Sequence, residues 1–376
     1  MQGVFLAAKN LPLCKKTEYG IYTKIIAQIE CFSEKYQMIV LSESWKRTIF
    51  GKLSARIPFF PNDFGISMNK VPCGIDFLFM RLDLGDRQTI RFLQKTRVKN
   101  PTAKIIVEIP TYPLAWKSLK WYTKIVRPKH TYCEKRLHLY ADVVAVYQDI
   151  NALYGLPTLI MSNGIQMSKN PIRTVSDGVD DSIQLISVSS VSASHGIDRM
   201  IDGLNDYYKS GGLRNVVLNI VGTGPEYNKL VEITRQHNLQ KHVIFYGYRT
   251  GEALLDIYAR CDIGVECLGS HRNDQSFSST LKSREYWAKG MPIISECTFP
   301  DEVNEISDLI LRVPADETPV QVAEVISFFD RVFSGGCYEG KMDIARQLHR
   351  FAEEHYSMEK ALRPVFEYIN GTHENI

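Results

Sequence analysis

Short apolar runs rich in β-branched residues alternate along this chain with amphipathic stretches of helix length. Strands of a parallel sheet are buried on both faces and read as continuous apolar runs, so the alternation predicts α/β units with parallel strands. The predicted strands of the first half are 4–8, 38–42, 75–82, 104–109 and 143–147. Those of the second half are 183–190, 216–222, 243–248, 263–267, 292–295 and 309–313. The two sets predict two doubly wound, Rossmann-like domains in tandem.

A polar stretch without periodicity, KNPIRTVSDGVDDS (169–182), separates the two sets and is interpreted as the domain linker. The length of 376 residues also suits two domains better than one core. We predict a first domain over 1–168, a second over 183–345 and a terminal helical segment over 346–376.

The net charge of +3 conceals an asymmetry between the halves. Residues 1–180 carry 26 Lys and Arg against 14 Asp and Glu, whereas residues 181–376 carry 19 against 28. A basic first half indicates that this domain faces something anionic. No helix-turn-helix, zinc-finger or RNA-binding pattern accompanies the charge, so nucleic acid is not predicted as a partner.

Composition and cysteine spacing indicate a cytoplasmic protein. Hydrophobic residues make up 44% and charged residues 23% of the chain, as in soluble globular proteins, and no run approaches the roughly 18 apolar residues of a membrane span. The eight cysteines form no C-x-x-C pair and lie mostly in apolar contexts, which is typical of reduced thiols. The amino terminus lacks the basic lead and long apolar run of a signal peptide.

Loops after the strands of the second half hold candidate ligand-binding residues, because open α/β sheets bind ligands beyond the carboxyl ends of their strands. In VGTGPEY, Gly222 and Gly224 let the backbone turn tightly and approach a ligand. Their spacing does not match the G-x-G-x-x-G dinucleotide fingerprint. A simple strand-to-helix turn is an equally good interpretation of this loop.

Two more loops suit phosphate or a planar base. In SSVSASHGIDR, Ser189, His195 and Gly196 precede a helix, which suits a phosphate as well as it suits an ordinary capped helix. In YGYRTGE, Tyr248 and Arg249 would offer a ring and backbone groups to a base, although most such turns bind no ligand.

The stretch FSSTLKSREYWAKGMPIIS predicts a helix with basic residues near its amino end, where the helix dipole is already positive. Its opening hydroxyl residues are Ser278, Ser279 and Thr280. Lys282 and Glu285 share one helix face at i, i+3. We predict that Lys282 neutralises a bound diphosphate and that Glu285 accepts hydrogen bonds from sugar hydroxyls. A plain ion pair is the alternative.

The order of these motifs resembles the carboxyl half of GT-B nucleotide-sugar glycosyltransferases, especially retaining family 4. The resemblance is carried by GTGPEY, VIFYGY, LLDIYARCDIGV and the helix with Glu285 followed by AKGMPIIS. SNGI resembles the family's hinge, and FAEEHYSMEKALRPVFEYI resembles the helix that crosses back to the first domain. EIPTYP, HGIDR and LKSREYWAKGMP resemble a subgroup that acts in bacterial surface-polysaccharide assembly.

The resemblance implies two Rossmann-like domains facing across a cleft and transfer of a sugar from a UDP-linked donor to a glycan or lipid-linked acceptor, with retention of configuration. It implies that Glu285 holds the ribose hydroxyls. The family's first motif glutamate falls on Phe277, and Ser189 and His195 stand where the family has basic residues for the diphosphate. Lys282, with Arg272 or Arg284, is predicted to supply the missing charge.

Metal and cofactor are not predicted, since no Asp-x-Asp pattern follows a strand and helix amino ends with side-chain cations would stabilise the leaving diphosphate. In the first domain, Glu108 at a strand end is a candidate acceptor contact and catalytic residue, with a capping role or a buried ion pair as equally good alternatives. Gly20 begins a helix after Lys15 and Lys16 and would meet the donor phosphate or the acceptor.

The segment 115–136 holds seven Lys and Arg among Trp and Tyr, a pattern that suits an anionic membrane surface. It predicts peripheral contact with the inner face of the cell membrane, with an ordinary solvated basic helix as the alternative. Two other functions remain open. One is a non-catalytic sugar-nucleotide-binding assembly subunit; the other is a nucleotide-sugar isomerase, which the basic aromatic segment argues against.

Overall fold

The computed structural model describes residues 1–7, 19–42, 71–112, 127–174, 182–273, 280–333 and 338–372. The chain divides into two compact units. The first is Met1–Gly164 with Met358–Ile376, and the second is Ile165–Ser357. Each is built on a mainly or wholly parallel sheet with alternating helices, which confirms the predicted α/β class.

The first unit contains a seven-stranded sheet. Its described strands are β1 (Gln2–Ala7), β2 (Gln37–Ser42), β3 (Phe77–Arg81), β4 (Lys104–Glu108), β5 (Val143–Val146), β6 (Ala152–Leu153) and β7 (Leu156–Ile160). They lie in the order β2-β1-β3-β4-β5-β7-β6, parallel except for the β6–β7 pair. The helices α1 (Tyr19–Lys35), α2 (Arg87–Lys99) and α3 (Arg127–Glu134) belong to this unit. β3 and β4 are buried almost throughout, as their continuous apolar runs require.

The second unit contains a six-stranded sheet in the order β10-β9-β8-β11-β12-β13, with every pair parallel. Its strands are β8 (Ile183–Val188), β9 (Val216–Val221), β10 (Val243–Gly247), β11 (Ile263–Val265), β12 (Ile293–Ser295) and β13 (Ile310–Arg312). Its described helices are α4 (Ile197–Lys209), α5 (Tyr227–Gln236), α6 (Glu252–Ala259), α7 (Leu281–Ala288), α8 (Val322–Val332) and α9 (Tyr338–Tyr356). The carboxyl ends of all six strands therefore meet at one edge of the sheet.

The last helix of the described chain, α10 (Met358–Asn370), belongs to the first unit. It packs on α1 with the rings of Phe366 and Phe32 at 5.1 Å between centroids, and Glu359 pairs with Lys35 at 2.6 Å. The change of unit thus falls between Ser357 and Met358. The sequence predicts the terminal segment over 346–376, whereas residues 346–356 belong to α9 and lie with the second unit.

Arg173, in the predicted linker, is buried against the second unit. Its guanidinium donates to the carbonyls of Cys261 and Gly290, and its backbone N–H donates to the carbonyl of Lys289. It thereby satisfies carbonyls at the end of α7, which helix termini leave without a partner. Residues 175–181 of the linker lie outside the described residues. Among the helices that the structure describes, none has the length and apolar character needed to cross a membrane.

Candidate functional site

Glycines bring the loops at the carboxyl edge of the second sheet into close contact. Gly222 follows β9 with φ +127°, and a Cβ built there would lie 1.8 Å from the Ser189 carbonyl oxygen. A Cβ on Gly224 would lie 2.5 Å from the carbonyl oxygen of Ser190. Since real Cβ contacts of this length do not occur, both positions require glycine. The loops after β8 and β9 therefore lie in direct backbone contact.

The loop after β8 meets the loop after β11 in the same way. Gly196 has φ +60°, and a Cβ there would lie 2.3 Å from the backbone of Leu268. The Leu268 N–H donates to the carbonyl of His195 at 3.0 Å. The position of the His195 loop is therefore fixed by the backbone that follows β11.

His195 is held as a neutral imidazole. Its Nδ1 lies 3.1 Å from the backbone N–H of Ser192, and because that N–H can only donate, Nδ1 accepts and the ring proton is on Nε2. Burial, together with the positive charge of Lys282, lowers the pKa of His195 to about 3. The ring therefore presents an uncharged N–H donor near the ammonium of Lys282.

Lys282 lies in the first turn of α7, and its Nζ donates to the backbone carbonyl of Glu266 at 2.9 Å. The Glu266 carboxylate itself is buried and accepts from Thr280 Oγ at 2.7 Å and Ser295 Oγ at 2.8 Å. No carboxylate of the described residues lies within ion-pair distance of Lys282. Its ammonium also bonds the Cys267 thiol, so one of its three protons is left for a further acceptor.

Glu285 stands one turn further along α7, and its side chain is half-buried. No side chain or backbone group of the described chain donates a hydrogen bond to its carboxylate. Burial raises the pKa of Glu285, and the charges of Lys289 and Lys282 only partly oppose that rise. A partly buried carboxylate without donors is costly, and its oxygens keep their capacity to accept hydrogen bonds.

Two arginines predicted as additional phosphate contacts have other partners. Arg272 pairs with Asp198 at 2.9 Å and with Glu317 at 2.5 Å, and these hydrogen bonds raise its pKa. Arg284 is 2% exposed, lies over the ring of Tyr356 at 4.3 Å, and donates to the Thr280 carbonyl at 2.8 Å. Burial lowers the pKa of Arg284. Its side chain stabilises the helix from inside the unit, which corrects the idea that it supplies charge to a diphosphate.

The other predicted contact residues that the structure describes lie in the loop after β10, at the start of α7 and in the first unit. Tyr248 is half-buried after β10, and Arg249 is exposed with its guanidinium donating to the Tyr248 carbonyl at 2.9 Å. Thr280 caps α7 by position, but its hydroxyl donates to Glu266 and not to the helix backbone. Ser278 and Ser279 lie outside the described residues, as do Phe277 and most of the basic segment 115–136. Gly20 lies in the first turn of α1, in the first unit.

Glu108 is fully buried at the end of β4. Arg81, its neighbour in the strand register, donates to it at 2.8 Å, and Tyr147 and Gln28 also donate to it. Burial would raise the pKa of Glu108, but the charges of Arg81 and Lys24 and these hydrogen bonds lower it. The geometry is that of the buried ion pair left open as the alternative, and a carboxylate with no exposed surface does not contact an acceptor as placed.

The Tyr147 hydroxyl is expected to stabilise the first unit through this buried carboxylate. Tyr147→Phe should lower the free energy of unfolding by about 2 kcal/mol, because a hydrogen bond to a charged group is lost in the interior. Tyr36→Phe is the control, since it removes a solvent-exposed hydroxyl bond to Asn370 and should cost less than about 0.5 kcal/mol. Urea denaturation followed by tryptophan fluorescence measures both variants. If Tyr147→Phe and Tyr36→Phe lost the same free energy of unfolding, the hydrogen bond from Tyr147 to Glu108 would not stabilise the first unit.

Sequence reasoning missed two acidic residues at this edge, Glu266 after β11 and Glu296 after β12. Glu296 accepts from Arg199 and from His271, each at 2.8 Å. The sequence could have indicated both residues, because each glutamate directly follows a buried strand, in IGVEC and in PIISEC.

Comparison with known proteins agrees with this architecture. Residues 168–301 match the family model described as Glycosyl transferases group 1, a span that includes Lys282 and Glu285. No curated protein sequence matches the chain.

Three solved structures share the fold over nearly all of both chains. A glycosyltransferase from Rickettsia africae ESF-5 is 13% identical with a TM-score of 0.60, covering 100% of this chain and 99% of its own. Sucrose-phosphate synthase from Thermosynechococcus elongatus is 13% identical with a TM-score of 0.63, at 98% coverage of each chain. HepE from Anabaena, solved in complex with UDP and glucose, is 13% identical with a TM-score of 0.57, covering 99% and 100%. The shared fold is that of GT-B glycosyltransferases.

Proposed function

We propose that this chain, which is a glycosyltransferase of the GT-B fold, transfers a sugar from a UDP-linked donor to a glycan or lipid-linked acceptor in bacterial surface-polysaccharide synthesis. The observation that carries the proposal is the pair Lys282 and Glu285 on one face of α7. Within the described chain the ammonium has no carboxylate partner and the carboxylate has no donor. HepE, which shares the fold, was solved with UDP and glucose, in keeping with a uridine diphosphate donor.

Glu285 is assigned to the ribose of the donor. A carboxylate accepts hydrogen bonds from two adjacent hydroxyls, and bonds to a charged acceptor are stronger than neutral ones. Since burial raises the pKa of Glu285, its charged form is poorly solvated in the free protein. The ribose hydroxyls would replace the missing donors.

Lys282 and His195 are assigned to the diphosphate. Lys282 contributes the positive charge, and the Nε2–H of neutral His195 contributes a hydrogen bond without the cost of burying a second cation. Gly222 and Gly224 let the loop after β9 lie directly against the loop that carries Ser189 and His195, which holds the two loops together at the proposed site. The proposal takes its counter-charge from these groups, and a metal-independent reaction is part of it.

In the proposed transfer, the bond between the anomeric carbon and the phosphate oxygen breaks, and its electron pair remains on that oxygen. The acceptor hydroxyl forms the new bond to the anomeric carbon on the same face, and its proton passes to the leaving diphosphate. Retention of configuration follows, and no separate protein base is needed. Stabilising the growing charge on the diphosphate is then the main catalytic task of Lys282.

A thermal-shift panel of nucleotide sugars, followed by a donor-hydrolysis assay, tests the proposal. Binding to the native state raises the melting temperature by mass action, so UDP and one UDP-sugar should stabilise the protein more than the corresponding ADP and GDP compounds. The sugar that stabilises most should then be released or transferred. Binding without any release of sugar would instead indicate the non-catalytic assembly subunit. No shift with any nucleotide would contradict both functions.

A further inference from the structure

Glu296 lies at a junction of charged groups beside the proposed donor site. It follows β12, and its side chain is 1% exposed. Oε2 accepts from Arg199 and from His271 Nδ1, each at 2.8 Å, and Oε1 accepts from the His271 backbone N–H at 3.0 Å. One buried carboxylate therefore fixes both a helix side chain and the loop after β11.

Arg199 connects Glu296 to the backbone of the loop after β11. It is 2% exposed, and the same NH1 that contacts Glu296 also donates to the carbonyl of Leu268. Its other nitrogens donate to the carbonyls of Thr318 at 2.8 Å and Pro314 at 2.9 Å. Without Glu296, a buried guanidinium would keep its carbonyl contacts but lose its closest counter-charge.

Leu268 in turn holds the His195 loop. Its N–H donates to the His195 carbonyl at 3.0 Å, and its backbone fills the space where Gly196 has no side chain. Arg272 adds a hydrogen bond to the Ala193 carbonyl at 2.9 Å. A chain of direct contacts thus runs from Glu296 through Arg199 and Leu268 to His195.

We propose that Glu296 is a positioning residue for donor binding, which holds the His195 loop in place through Arg199 and His271. This inference rests on the proposed function of the His195 and Lys282 site. Glu296 would not contact the donor itself. Its contribution is to keep the diphosphate-binding loop in one arrangement before the donor arrives.

His271 makes this support dependent on pH. Its Nδ1 contacts Glu296 at 2.8 Å and its Nε2 contacts Glu317 at 2.9 Å, so the ring bonds both carboxylates as a donor only when it is protonated. Burial would lower the pKa of His271, but the hydrogen bonds that its ring makes to Glu317 and Glu296, together with their charges, raise it. Among the residues that the structure describes, the charged groups near His271 are Glu296, Glu317, Arg199, Arg272, Asp198 and Asp316.

Because the pKa of His271 is raised in the folded protein, its contacts with the two carboxylates are strongest at low pH. The protonated contact is fully present below the ordinary histidine pKa of about 6.5 and is lost as pH rises through the folded-state value. Replacement of His271 should therefore weaken donor binding most at low pH.

The experiment compares UDP dissociation constants, by titration calorimetry, for the unaltered protein, Glu296→Gln, His271→Asn and a control. Asp262→Asn is the matched control, because Asp262 precedes β11 at the opposite edge of the same sheet, pairs with Lys341 at 3.3 Å and accepts from the Gln184 N–H at 3.0 Å. Glu296→Gln should raise the dissociation constant about tenfold, the effect of losing one charge-assisted bond. Asp262→Asn should leave it within about twofold.

Measurements at several pH values make the result specific. The ratio of the dissociation constants of His271→Asn and the unaltered protein should be largest at acid pH and approach one above the pKa of His271, since the ionisation of UDP cancels in the ratio. If Glu296→Gln does not fold, the ratio of the dissociation constants of His271→Asn and the unaltered protein is the test. A ratio that does not change with pH overturns the inference. UDP binding by Glu296→Gln that equals that of the control also overturns it. Absence of UDP binding by the unaltered protein overturns the proposed function and this inference together.

Discussion

Replacement of Lys282 by alanine is expected to lower kcat/KM for sugar transfer by about two to three orders of magnitude, the range seen when a group that stabilises transition-state charge is removed. Among the described residues the ammonium contacts the Glu266 carbonyl and the Cys267 thiol, each through a single hydrogen bond. The free energy of unfolding should therefore fall by no more than about 1 kcal/mol. Steady-state kinetics with the UDP-sugar selected by the thermal-shift panel measures the first quantity, and urea denaturation measures the second.

Lys229→Ala is the control for this variant. Lys229 is an exposed lysine of the same unit whose ammonium pairs with Glu226 at 3.1 Å, so its removal changes net charge equally. The kcat/KM of Lys229→Ala for sugar transfer should match that of the unaltered protein. If Lys282→Ala were as active as Lys229→Ala, the diphosphate would have to be neutralised elsewhere, and the assignment of Lys282 would be wrong.

Glu285→Gln is expected to have opposite effects on binding and on stability. The amide accepts weaker hydrogen bonds from the ribose, so UDP affinity should fall about 100-fold, which corresponds to about 2.7 kcal/mol. In the free protein, burial raises the pKa of Glu285, which means that its charge destabilises the folded state at neutral pH. A neutral amide removes that charge and should raise the free energy of unfolding by about 1 kcal/mol.

Titration calorimetry with UDP and urea denaturation without ligand measure the two effects. Glu232→Gln is the control, because this exposed carboxylate pairs with Arg235 on the surface of the same unit and neither quantity should change by much. A less stable Glu285→Gln protein with unaltered UDP affinity would show that Glu285 is a structural carboxylate. A purely structural role for Glu285 would not produce both weaker UDP binding and a higher free energy of unfolding.

The strands were predictable because each is a local run of buried apolar residues. Predicted strands such as 183–190 and 216–222 exceed the observed β8 and β9 by only one or two residues at their carboxyl ends. The hairpin strand β6 was missed, because it is only two residues long and Tyr154 and Gly155 turn the chain with positive φ at both positions.

Charge partners were not predictable in the same way. Arg272 and Glu317 are 45 residues apart in sequence, and only the sheet order brings the loops after β11 and β13 together. Nothing local distinguishes Arg272, which has two carboxylate partners, from Lys282, which has none among the described residues. Glu108 likewise depends on its register partner Arg81 in the next strand.

The central claim is that a UDP-linked donor binds at the carboxyl edge of the second sheet. Hydrogen exchange followed by peptide mass spectrometry, with and without saturating UDP, tests it most directly. Slower amide exchange on UDP binding is expected in peptides that cover 189–196 and 280–288. Protection confined to residues of the first unit, or exchange in these two segments unchanged by saturating UDP, would contradict the claim.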